Sequence, residues 1–501
     1  MTDAPAFAAI DLGAESGRVI VGRLAGERVE LDVVHRFANR PVALPDGLRW
    51  NLLHLFTEAL DGLCHAAARA DLHGIGVDSW GVDYALLDER GRVLGLPFHY
   101  RDSRTRGMID RAFGRVSRAE LYTVTGIQTL AINTVFQLLA DEGSAALDAA
   151  AGIAFVPDLF GLWLTGQLAN ERTVASTSGL LDARTGEWSR EVIGRLGLPV
   201  RPFGELIEPG TTIGGLLAHH ADRAGLPGGL PVHAVASHDT ASAFVAAPVG
   251  DHGRAAILSS GTWSLLGVEL EAPVLDDTAR SFDLTNERGI DGTTRLLKNV
   301  MGLWLVQECR NAWADAGQKL DYDELHRLAS SAGPEVPLFD PDLEEFLAPG
   351  HMPARIEAAC ARTGQRLDPS PAVVVRATLT SLACKYRLVV ERLERTTGRP
   401  IDCVHVIGGG SRNELLCRLT ADVLGRPVMS GPVEATALGN VLVQARAAGA
   451  IADRAEMSAL ARASAEPVVY EPAGETADES TYRRFLAVTG LAVETPAGAT
   501  A

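Results

Sequence analysis

Short apolar runs and Gly-rich turns alternate at the start of the chain, with runs over 7–12, 17–24 and 29–37. This alternation predicts a three-stranded antiparallel meander. Leu52, Phe56, Leu60 and Leu63 then recur at helical spacing within 52–70, and 74–77 and 82–87 return to strands. Helices are expected over 133–141 and 156–165. The apolar run 231–236 reads as a buried strand ending at Ser237, His238 and Asp239. Alternating β and α units imply an α/β fold.

The polar Gly/Pro stretch 247–253 has the character of a domain boundary. Beyond it the pattern restarts: 255–267 repeats the layout of 9–22, strand, small-residue turn, strand. Laying Gly261 on Gly13 gives an offset close to half the chain, which predicts two related domains rather than a short-period solenoid. Later, a strand over 404–407 enters Gly408, Gly409, Gly410 and Ser411, and a helix follows over 413–424. The run 299–307 reads as an apolar helix with Asn299 at its start and Gln307 two turns on. The last stretch, 473–501, is polar and Ala-rich, with one helix expected near 479–488 and a disordered end.

A length of 501 residues fits two or three domains, and 47% hydrophobic with 22% charged residues is an ordinary globular composition. The net charge of −17 repels polyphosphate, so no nucleic-acid partner is expected, although backbone N–H groups could still hold a small anion. Six cysteines without a CxxC pair or a spaced Cys/His cluster argue for reduced thiols rather than disulfides or structural zinc. Residues 1–7 lack a basic region followed by an apolar stretch, and no apolar run approaches the ~18 residues that would span a bilayer. The expectation is a soluble cytoplasmic protein with no membrane partner.

Five segments could carry chemistry. The turn 11–18 sets Asp11 at a strand end beside Gly13, Ser16 and Gly17. Glycines let backbone N–H groups approach phosphate and a carboxylate there can hold Mg²⁺, but a plain hairpin fits too. The second turn, 259–262, favours the functional reading, because paired hairpins can clamp a polyphosphate. Neither GxxxxGK[ST] nor GxGxxG is present. Asp239 could accept a proton from an attacking hydroxyl, or Asp239 or Ser237 could simply cap the following helix. Gly408 to Ser411 admits close backbone approach by a ligand, or is a flexible turn. Asp78 to Asp83 suits a polyhydroxylated ligand, or is a hairpin around a core Trp80. No HExxH and no ordered Ser/His/Asp set points to a zinc enzyme or a serine nucleophile.

Together these segments, with Tyr100 to Thr105 and Ser260-Gly261-Thr262-Trp263, resemble the FGGY carbohydrate kinases over about 7–447. Segments 11–18, 76–84, 237–240, 299–304 and 431–436 are most similar to members acting on L-rhamnulose. Members acting on xylulose carry Gln-Met-His-Gly where this chain has 80–83. The resemblance implies two duplicated actin-like (ribonuclease H-like) α/β domains with the active site in the cleft between them. It assigns 6–246 the sugar site and catalytic Asp and 254–447 the nucleotide site, which leaves 448–501 as an extension that its composition marks as partly disordered. It implies transfer of the ATP γ-phosphoryl group to the 1-hydroxyl of L-rhamnulose with Mg²⁺, in L-rhamnose catabolism, by a monomer or homodimer. By motif, Asp239 is the proton acceptor. Gly81, His238, Asp239, Thr240 and Asn299 contact the sugar. Ala14, Glu15, Ser16, Gly17, Arg18, Thr262, Gln307 and Gly409 contact ATP, and Asp11 positions the metal. A serine often stands where this chain has Glu15, whose carboxylate must point away from phosphate or meet the metal. The alternatives are a kinase for another ketose, such as L-fuculose or L-xylulose, and an actin-like or chaperone-type ATPase without a sugar substrate.

Overall fold

The computed structural model describes residues 4–249, 254–474 and 478–493. Most of the expected boundary, 250–253, and the chain end, 494–501, lie outside the described residues.

The meander forms as the alternation dictates: β1 (Ala6–Leu12), β2 (Ser16–Ala25) and β3 (Arg28–Ala38) pair antiparallel. β1 is buried along its whole length, because its other edge pairs in parallel with β4 (Leu72–Ser79). β5 (Thr212–Gly215) and β6 (Pro231–His238) complete a six-stranded sheet of order β5-β6-β4-β1-β2-β3, with β6 parallel to β4 and β5 antiparallel to β6.

The restart is equally clear. β7 (Ala255–Ser260) and β8 (Ser264–Leu270) form an antiparallel hairpin. With β9 (Thr285–Arg288), β10 (Thr294–Val300), β11 (Cys403–Ile407), β12 (Val428–Ser430) and β13 (Val468–Tyr470) they give the order β9-β10-β8-β7-β11-β12-β13. The hairpin, two parallel strands and an antiparallel edge of the first sheet recur here, with β7 parallel to β11, β11 parallel to β12 and β13 antiparallel to β12. The sheets are therefore a structural duplication.

One element differs from expectation. Asn299 lies in β10, and the helix starts only at Trp304 (Trp304–Asp315), which puts Gln307 in its first turn. Gly302 stands at the break, where a Cβ would lie 2.5 Å from Ser264 Oγ. A short apolar run reads equally well as strand or helix, so local pattern could not separate them.

Contacts divide the chain into two units. The first holds residues up to Pro248, Glu269–Leu296 and Ala435–Ala465, and the second holds Val249–Val268, Leu297–Glu434 and the chain beyond Glu466. The helix Ala435–Ala447 thus belongs with the first sheet. It lies so close to the helix Asp239–Val245 that a Cβ on Gly439 would sit 1.8 Å from the Ser242 carbonyl oxygen, and Gln444 donates to the Ala8 carbonyl at 3.0 Å. All six cysteines are free thiols, and no helix among the described residues is long and apolar enough to cross a membrane.

Candidate active site

In the first unit, parallel β1, β4 and β6 end together, and ligands of open α/β sheets bind beyond such carboxyl ends. Asp11 and Asp78 are register partners across β1 and β4, and His238 pairs with Ser79 across β6 and β4. Asp239 follows as the first residue of its helix. Asp11 pairs with Arg18 of β2 at 2.8 Å. Asp78 is fully buried and accepts from Asn440 at 2.6 Å. Burial first, then the neighbouring Asp11 and Asp239 carboxylates, push the Asp78 pKa well above the ordinary range.

The acid pair fits a divalent cation. Asp78 Oδ1 is buried with no hydrogen-bond partner, and the donors are hard carboxylate oxygens. No group of three or more His, Cys, Asp or Glu able to cage a metal occurs among the described residues.

Among the turn residues, Gly13 N–H donates to the Ser16 carbonyl at 3.0 Å, and Asn39 clasps the hairpin by donating from its side chain to the Gly13 carbonyl and from its backbone to that of Glu15. Ala14 and Glu15 are half-buried and Ser16 is exposed. Gly17 is fixed by packing, since a Cβ there would lie 2.2 Å from the Phe37 ring.

The turn from β6 into its helix is held from below. Ser237 N–H donates to Glu171 Oε2 at 3.1 Å, His238 N–H donates to Thr173 Oγ1 at 3.2 Å, and that hydroxyl donates to Glu171 at 2.6 Å. Burial raises Glu171 to about 7. Ser237 does not cap the helix; its hydroxyl turns to the Val235 carbonyl. Asp239 Oδ1 accepts from Thr240 N–H at 2.5 Å and from its hydroxyl at 3.0 Å, and His238 Nε2 is 3.4 Å away. These contacts all fall on one oxygen, and the Asp239 side chain stays 30% exposed.

The Trp80 to Asp83 segment has a buried polar hub. Asp83 accepts from Trp50 Nε1 at 2.5 Å, Trp80 Nε1 at 3.0 Å, Gln137 at 2.9 Å and Tyr100 N–H at 3.3 Å. Burial still raises it to about 6. Trp80 does pack as core, 4.1 Å from Trp50 between ring centroids. Gly81 is buried too, and a Cβ on it would meet Thr177 at 2.8 Å. Beside it, Val82 adopts φ 66°, an outlier for a β-branched residue, and its N–H donates to Thr177 Oγ1 at 3.0 Å.

The second unit gathers the remaining candidates around the β7–β8 turn. Leu303 N–H donates to the Gly261 carbonyl at 3.1 Å and Trp304 N–H to that of Thr262 at 3.0 Å, which docks the helix carrying Gln307 onto Thr262. Tyr386 and Ser264 share a 2.7 Å hydroxyl contact at the base of the hairpin. After β11, Gly408 takes φ 81°, and a Cβ on Gly410 would lie 2.0 Å from Ser260 Oγ. Gly409 is exposed with open space around its Cα.

The model of the N-terminal domain of the FGGY family of carbohydrate kinases matches 7–246, and that of its C-terminal domain matches 256–448. The chain belongs to the FGGY carbohydrate kinases. Similar relatives are a rhamnulokinase of Bacteroides thetaiotaomicron, 41% identical over 96% of this chain and 98% of that protein, and one of Bacillus subtilis, 37% identical over 93% and 95%. Similar solved structures are a xylulose kinase from Lactobacillus acidophilus (TM-score 0.77, 15% identity, 97% of this chain and 96% of that one) and Plasmodium falciparum glycerol kinase with ADP (0.74, 15%, 97% and 97%). The fold is the two-domain actin-like one.

For this FGGY kinase, sequence reasoning did not assign site roles to Asp78, Asp83, Glu171, Glu287, Arg295 or Asn440. Asp78 and Asp83 lay within a segment already singled out, but the other four sit in stretches with no motif. The available signal was a charge among apolar neighbours, as with Arg295 before Leu296 and Leu297, since a buried charge requires a partner.

Proposed function

We propose that the chain transfers the γ-phosphoryl group of ATP to the 1-hydroxyl of L-rhamnulose, giving L-rhamnulose 1-phosphate and ADP. The observation that carries the chemistry is Asp239, a partly exposed carboxylate at the head of a helix with its hydrogen bonds gathered on Oδ1. Oδ2 is then the oxygen that receives the proton of the acceptor hydroxyl. The choice of L-rhamnulose rests on near full-length likeness to proteins named rhamnulokinase.

The residue roles are those that the likeness to the FGGY carbohydrate kinases implies, and the chemistry of each group suits them. His238, Thr240, Asn299 and the Gly81 backbone orient the sugar. The 14–18 turn, Thr262, Gln307 and the open Gly409 backbone hold ATP, with 6–246 as the sugar and base domain and 254–447 as the nucleotide domain. Asp11 and Asp78 would hold Mg²⁺ through its waters, and the bound ion supplies charge neutralisation on the phosphates. Arg18, paired with Asp11 at 2.8 Å, adds a positive charge beside the turn. Phosphoryl transfer needs chiefly positioning and charge stabilisation, so this set suffices. Six free thiols support a cytoplasmic setting, with monomer or homodimer as the working form.

A coupled ADP-release assay across L-rhamnulose, L-fuculose, L-xylulose, D-xylulose and glycerol tests this reading. Turnover should depend on ketose and be fastest with L-rhamnulose. Equal ATP turnover without sugar would instead support the ATPase alternative.

A further inference from the structure

Arg295 is fully buried in β10, where a guanidinium keeps its charge only if partners replace water. Burial drags its pKa down, and Glu287 acts most strongly against that shift. Three contacts fix its plane: Nε donates to the Arg288 carbonyl at 3.0 Å, Nη2 pairs with Glu287 Oε2 at 3.2 Å, and the group stands 5.7 Å from the Phe244 ring centroid. The same Nη2 lies 3.1 Å from His238 Nδ1.

Guanidinium nitrogens donate and never accept, so the Nδ1 facing Arg295 is the unprotonated ring nitrogen. Its proton then sits on Nε2, which points at Asp239 Oδ1 from 3.4 Å. The opposite tautomer would set an N–H against the guanidinium and a lone pair against the carboxylate. Glu287 Oε2 lies 3.3 Å from Nδ1 and forms an ion pair with Arg295 Nη2 at 3.2 Å, with no hydrogen bond to either group, so the guanidinium is the hydrogen-bond partner of Nδ1. Arg295 therefore determines which nitrogen of His238 meets the proposed base.

We propose that Arg295 is a positioning residue for phosphoryl transfer, which fixes His238 as its Nε2–H tautomer so that this N–H pins Asp239 Oδ1 and turns Oδ2 to the acceptor hydroxyl. The proposal rests on Asp239 being the base.

Nitrogen NMR of ¹⁵N-histidine-labelled full-length protein, with His238→Asn to assign the signals, tests it without any activity. His238 should show a protonated Nε2 and an unprotonated Nδ1; an Nδ1–H or doubly protonated ring overturns the proposal. Kinetics give a second arm. Arg295→Met should lower kcat roughly 10- to 100-fold with KM for ATP unchanged. Adding Glu287→Gln removes the stranded charge and offers an amide N–H to Nδ1, so the double variant should recover most of that loss. Wild-type kcat in Arg295→Met, or no recovery in a double variant that melts cooperatively, overturns it. Should Arg295→Met fail to fold, the double variant and the spectrum decide. ATP turnover indifferent to every ketose would sink the proposed function alone, while the His238 spectrum still decides the tautomer.

Discussion

Asp11 and Asp78 stand as register partners on adjacent parallel strands, so the fold itself holds two acids side by side at the end of its central sheet. Two carboxylates in that position repel, Arg18 offsets part of this through its pair with Asp11, and burial makes Asp78 the more heavily penalised. Asp78→Asn keeps an acceptor for Asn440 and removes a carboxyl whose ionisation burial opposes. It should stabilise the nucleotide-free protein by about 1 to 3 kcal/mol in thermal melts. It should also raise the Mg²⁺ concentration for half-maximal turnover roughly 10- to 100-fold. A variant that melts lower and titrates Mg²⁺ as wild type would dismiss this reading.

Asp239→Asn isolates the base, because Asp239 is the first residue of its helix and not its cap. The amide can still accept from Thr240 N–H, so the helix start survives, but it cannot take a proton. The kcat should fall roughly 10²- to 10⁴-fold, with the ATP dissociation constant and the melting transition unchanged. Near-normal sugar phosphorylation would remove Asp239 from the mechanism.

The glycines after β11 should part company. Gly409→Ala meets nothing within 4 Å, so it should melt as wild type while raising KM for ATP. Gly410→Ala drives a methyl group to 2.0 Å from Ser260 Oγ and should cost about 1 to 3 kcal/mol in denaturant unfolding. The reverse ranking would show that the exposed glycine, and not the packed one, is structural.

Acid stability offers a fourth test. Burial raises Asp158 to about 8 and Glu171 to about 7. A carboxyl with a raised pKa in the folded state binds its proton more tightly there. Its contribution is fully present below the unfolded value and is lost as pH climbs through the folded one. The urea midpoint should therefore fall from pH 5 to pH 8, and Glu171→Gln should flatten that slope by up to about 1.4 kcal/mol per pH unit. An unchanged slope would mean that Glu171 is ionised throughout.

Where the chain speaks locally, its sequence was readable. Alternation and Gly turns mark β1 to β3, the apolar run marks β6 up to His238, and the restart at Ala255 marks the duplication. Asp11 and Asp239 were legible because each closes such a run with a charge. Asn299 was assigned to the wrong element because Gly302, which stands at the break, is explained only by its approach to Ser264. Glu171, Arg295 and Asn440 stayed hidden because their partners lie 66, 57 and 362 residues away, at Ser237, His238 and Asp78.

The helix Ala435–Ala447 imposes an order of assembly on the ribosome. Asn440 and Gln444, which satisfy Asp78 and the Ala8 carbonyl, are synthesised long after the strands they complete. At about 5 to 20 residues per second, the emerging first sheet waits on the order of ten seconds or more with a buried acid and a core carbonyl unanswered. A nascent chain stalled before Ala435 is thus a natural client for chaperones, and a fragment ending at Pro248 would carry that exposure permanently.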